Sequence, residues 1–135
     1  MTITGRAALG CAALLVSATS PLAGGNDAVR ACRDRMTGGE QKQCIEQVYR
    51  AASVELDAVY RSVVDAAGKL DASGSVTSRA AMIARSQSAW ETYRDAECRG
   101  VVGLGGSGGA VWFYGCLAEK MLERIQELKM PFYQR

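Results

Sequence analysis

The sequence contains no histidine. That removes the commonest general base, the usual partner that activates a Ser or Cys nucleophile, and the commonest metal ligand. An excess of one charge is missing too: sixteen Lys and Arg stand against fourteen Asp and Glu, a formal +2. With no basic block and no basic–aromatic stripe, the electrostatic footprint of a nucleic-acid binder is absent. No segment alternates apolar and polar residues as a half-buried strand does, and no apolar run is long enough to span a bilayer. A glycosidase pair is lacking as well. Asp95 and Glu97 stand two apart, so on a helix they point to different sides. The sequence therefore predicts no catalytic residue, no metal ligand and no cofactor. What is present is a 135-residue chain, 48% hydrophobic, of a size and composition that give one globular domain.

The first stretch reads as an address. Arg6 is the only charge before Asp27, and Ala7 to Ala18 is a short, mostly apolar run followed by small residues and Pro21. Residues 1–23 are expected to be a signal peptide cleaved after Ala23, with Ala18 as the alternative, leaving a domain over 24–135. The tetrapeptide ending at Cys11 resembles a lipoprotein box. Ala8 where Leu is usual, and the near-absence of an apolar run before Cys11, argue against a lipid anchor. The expected location is periplasmic or secreted.

Loss of the leader also resolves the cysteine count. Five cysteines become four: Cys32, Cys44, Cys98 and Cys116. An even number in an oxidising compartment reads as two disulfides. Four cysteines allow three pairings, of which Cys32–Cys44 with Cys98–Cys116 is the local one, closing two short loops. A four-thiolate zinc site is the rival, but neither pair has the close spacing of zinc modules.

The remaining chain is helical by periodicity. Ala28 to Met36 is a short helical turn. Thr37 and Glu40 form a capping-box pattern ahead of a long amphipathic helix, Gly38 to Leu70, with Ile45, Tyr49, Ala52, Leu56, Val63 and Ala67 on its apolar stripe. After a polar break, a second helix is expected from near Ser75 or Thr77 to Cys98. Gln87, Trp90, Arg94 and Cys98 share one face of it, with Tyr93 beside them. We assign Gln87, Trp90, Tyr93, Arg94 and Asp95 to the structural core. Arg94 and Asp95, being adjacent, should diverge rather than pair. Gly100 to Gly109 holds six glycines in ten residues. Without a preceding strand or a following Lys it is no phosphate loop, and it reads as a flexible loop. A third helix follows from Ala110 to Leu128, stopped by Pro131. The fold class is all-α: an antiparallel helical hairpin plus a third helix, stapled by two disulfides.

Several of these features occur together in one known family. Cys32, the T-x-x-E-x-x-x-C run from Thr37 to Cys44, the A-x-S-Q-x-A-W-x-x-Y-R-D-A-x-C run from Ala84 to Cys98, the Gly105-Gly106-Ser107 loop and Cys116 resemble the lysozyme-inhibitor LprI N-terminal domain family. The resemblance spans Cys32 to Leu128. One motif departs from it: Ser53 stands where Asp is usual and Asp57 where Asn is usual. The resemblance implies an exported helical protein and, for some members, inhibition of lysozyme. The expected partner is lysozyme or another envelope protein, met through a candidate loop of Arg99, Gly105, Gly106 and Ser107. The alternative is an envelope interaction module with no effect on lysozyme. Losing Arg6 leaves fifteen basic against fourteen acidic residues, so long-range attraction to a cationic lysozyme should be weak.

Overall fold

The structure, a computed structural model, describes residues 25–34, 37–74, 76–104 and 108–130, and the expected signal peptide lies outside them. These residues form four helices: α1 (Gly25–Arg33), α2 (Gly38–Ala72), α3 (Arg79–Leu104) and α4 (Gly109–Leu128). No strand occurs among them, so the all-α class holds. None of the helices is long and apolar enough to cross a membrane.

The long helix starts where its cap predicts. The Glu40 N–H donates to Thr37 Oγ1 (3.2 Å) and the Thr37 N–H donates to Glu40 Oε2 (3.2 Å), satisfying two donors that a helix start leaves open. Its stripe is buried at Ile45, Ala52, Leu56, Val63 and Ala67. The second helix starts later than expected, at Arg79. Ser78 accepts from the Ala81 N–H (3.2 Å), and the Asp71 carboxylate, from the end of α2, accepts from the Arg79 and Ala80 N–H groups at 3.0 Å each. One acid thus closes the turn and caps the next helix. Those two bonds hold Asp71 below the usual carboxylate range.

The chain runs up α2, down α3 and up α4. At about 1.5 Å per residue, α2 is about 52 Å long and α4 about 30 Å. Lys129, just past the end of α4, donates to Glu55 of α2 (2.6 Å). The rest of α2 therefore continues beyond α4 with only α3 beside it. Around α4 the packing is densest: Leu117, Met121, Ile125 and Leu128 bury against Ala52, Leu56 and Val63. The short α1 lies across the start of α2 and α4, burying Val29 with Ile45 and Ala118. It can do so because Gly115 has no side chain. A Cβ there would stand 3.0 Å from Arg33 Nη2 and 3.4 Å from Val29 Cγ1.

Both local disulfides are formed, Cys32–Cys44 and Cys98–Cys116, and both lie at this four-helix end. They close loops of 12 and 18 residues. In the chain-entropy account each loop of this size contributes about 3 kcal/mol. The flexible loop expected over Gly100 to Gly109 is mostly absent, because α3 continues to Leu104 and α4 begins at Gly109. Gly100 and Gly103 are poor helix formers. However, Cys98 is bonded to α4, and Val102 Cγ1 lies 3.4 Å from where a Cβ on Gly109 would be. The tie holds the two helices side by side, and packing overrides propensity.

Candidate functional site

Two regions contain the residues singled out by sequence. The first is the α3–α4 seam. Gln87 is buried at 5% exposure, and Arg124 opposite it at 6%. Arg124 Nε donates to Gln87 Oε1 (3.2 Å), Nη1 to Glu127 Oε2 (2.8 Å) and Nη2 to Ser86 Oγ (3.4 Å). Gln87 Nε2 in turn donates to Glu91 (3.1 Å). The Trp90 ring receives two guanidinium groups, Arg94 at 5.0 Å and Arg124 at 5.7 Å. This cluster is a polar clasp inside an apolar interface.

Three expectations need correction here. Arg94 and Asp95 do pair: Arg94 Nε and Nη2 donate to Asp95 Oδ1 at 2.8 and 2.7 Å. The long Arg chain folds back over Trp90 and then reaches sideways, which the divergence of adjacent Cβ directions does not forbid. Asp95 itself is half exposed and is not core. Tyr93 is not core either, at 55% exposure. It donates to Glu97, which Lys120 also meets at 3.1 Å. Tyr93 first and Lys120 second lower the Glu97 pKa, and the bond to Glu97 raises that of Tyr93. Arg124, the centre of the clasp, escaped sequence reasoning. Its signal was available: 117, 121, 124 and 128 step by four, three and four, so a cation stands within the apolar stripe of α4.

The second region is the four-helix end. Of the candidate loop, Gly105, Gly106 and Ser107 lie outside the described residues. Arg99 is on the last part of α3, exposed and with no ion-pair partner among the described residues. With Val102, Gly109, Ala110, Phe113 and Tyr114 it lines a shallow apolar notch of about 320 Å³. On the other side of α4 a second recess, about 430 Å³, is lined by Arg33, Gly38, Gln41, Gly108, Val111 and Trp112. Neither lining contains an acid. Trp112 stays 40% exposed. The Arg33 guanidinium covers one face of its ring at 4.7 Å, while Arg33 Nη1 donates to Glu119 (3.0 Å). Gln41 Nε2 donates to the Arg33 carbonyl (2.8 Å), tying α1 to the start of α2. Among the described residues no group of three or more His, Cys, Asp or Glu is placed to hold a metal ion. The arrangement can bind a surface.

Comparison with known proteins bears on the domain as a whole. A family model described as Lysozyme inhibitor LprI matches residues 32–128. The uncharacterized protein R02472 of Rhizobium meliloti (strain 1021) is 35% identical over 133 residues, covering 92% of this chain and 94% of that protein. No solved structure matches.

Proposed function

This chain belongs to the lysozyme inhibitor LprI family, and from that premise we propose that it is an exported protein that inhibits lysozyme by binding it. Residues 1–23 serve as the export leader, and the disulfides form after export. The family match over nearly the whole domain carries this reading.

The geometry supports one end of the molecule as the working surface. Lysozyme acts through two carboxyl groups in a cleft. An end where two recesses beside α4 carry a guanidinium and no acid in their linings suits such a cleft. Arg99 is exposed, and a guanidinium at that position presents a planar fork of donors that matches a carboxylate. The short connection at 105–107 adds little side-chain bulk. Two disulfides beneath limit the entropy lost on docking. Lysis of cell walls by lysozyme, followed with and without an excess of oxidised, leader-free protein, tests the proposal. Slowed lysis is expected, and an unchanged rate at high molar excess sinks it.

A further inference from the structure

We propose that the Cys32–Cys44 bridge is a redox site: a dithiol opens it through Cys44, and its opening frees α1 while the rest of the bundle stays folded. The inference is independent of the inhibitor reading, because it needs no partner of that kind.

The two bridges close loops of 12 and 18 residues, so loop length hardly separates them. Access does. Exchange requires a thiolate to reach one of the bonded sulfurs. Cys98 is 0% exposed and Cys116 7%, and both lie in the main core with Leu117 and Met121. Cys32 is buried as well. Cys44 differs. Of the four bridged cysteines it alone is half-buried, and with Glu40, Gln43 and Gln47 it lines a surface recess of about 240 Å³.

What each bridge holds also differs. The Cys98–Cys116 bridge joins helices of 26 and 20 residues that meet again at the Arg124–Gln87 bond and along the core. The Cys32–Cys44 bridge holds α1, which has nine residues. A helix that short is not stable by itself. Its buried side chains among the described residues are Val29 and Cys32. Its other ties are the part-exposed Arg33–Glu119 pair at 3.0 Å and the Gln41 amide on the Arg33 carbonyl. Exposure screens the first, and the second is a single neutral hydrogen bond. Sulfur therefore dominates the attachment of α1.

The exchange balances in two steps. One thiolate of the dithiol attacks Cys44 Sγ. The S–S bond breaks, and its electron pair leaves on Cys32 Sγ, which takes up a proton. The second thiolate of the reagent then attacks the mixed disulfide, and Cys44 leaves and is protonated in turn. The bridge gains two electrons and two protons, and the dithiol loses them in becoming a disulfide. Departure of α1 uncovers Ile45 and Ala118 and takes Arg33 off the Trp112 ring.

The test is timed reduction of the oxidised, leader-free protein with dithiothreitol, quenched by alkylation and read by peptide mass spectrometry. Cys32 and Cys44 should be alkylated together, at least about tenfold faster than Cys98 and Cys116. Amide exchange of the two-thiol species should show residues 29–34 unprotected and residues 116–121 still protected. Cys32→Ser with Cys44→Ser should show the same exchange pattern with no reductant present. Opening of both bridges at one rate, or of Cys98–Cys116 first, overturns the proposal. So does a two-thiol species in which residues 29–34 stay protected, or one in which the whole bundle unfolds.

Discussion

The two ends of this bundle are built differently. At one, four helices meet, both disulfides close, and the Arg33 guanidinium covers a Trp112 ring that stays 40% exposed. At the other, α2 and α3 run on beyond α4 as a two-helix stem, where Ala67 is buried. A two-helix stem buries little apolar area, so its stability depends on the hydrogen bonds of its turn. The four-helix end depends on covalent ties and dense packing. The contrast separates rigidity from length: this chain concentrates order where docking would need it and leaves the far end to local capping.

The largest expected effect comes from removing the covalent tie at the four-helix end. Cys98→Ser with Cys116→Ser should cost about 3 kcal/mol, a fall in Tm on the order of 10 °C for a domain of this size. A thermal melt beside wild type measures it. A Tm within a degree or two of wild type would mean that packing alone orders this end, and the contrast would collapse.

Next is the clasp in the middle. Arg124→Ala strands Gln87 and exposes one side of Trp90, and should cost about 3 kcal/mol, as breaking a buried charged network does. Arg94→Ala should cost about 1 kcal/mol. Its partner Asp95 is 44% exposed and therefore screened, and the stacking on Trp90 is a modest contribution. Urea melts of the two variants give the ratio directly. Equal losses would show that the two arginines share the clasp.

The smallest effect belongs to the stem. Asp71 has its pKa lowered in the fold by the Ala80 and Arg79 N–H groups. A lowered folded pKa means stability that is present above the unfolded value and is lost as pH falls through the folded one. Wild type should therefore soften at the α2–α3 turn below the ordinary carboxylate range, and Asp71→Asn should show less of that dependence. Amide hydrogen exchange of residues 79–82 as a function of pH reads it. The same acidification should leave the exchange of residues 116–121 slower than that of the turn, which sharpens the comparison.

Local signals in the chain were the legible ones. Thr37 and Glu40 announce a cap at a fixed spacing, and the cap is there. The stripe from Ile45 to Ala67 marks a helix because its period is the helix's own. Cys32, Cys44, Cys98 and Cys116 pair with their near neighbours. What could not be read depends on contacts between distant residues. Gly100 and Gly103 signal a loop by propensity, but α3 stays helical through them because Cys98 is held to α4. Arg94 and Asp95 diverge at Cβ, yet a long side chain can return. Arg124 was visible only as a charge out of place, and its partner 37 residues away supplies the reason for it. Of the candidate loop only Arg99 lies among the described residues, and the stacking of Arg33 on Trp112 joins two helices, so neither segment alone announces it.

The stem has a practical use. Val76 sits wholly in solvent at its tip, 106% exposed, about as far from Trp112 as the molecule allows. A dye, an affinity handle or an inserted reporter placed at residue 76 would ride on a natural lever and leave the opposite pole untouched. Single molecules could thus be tethered to glass by the tail and offered to their target head first.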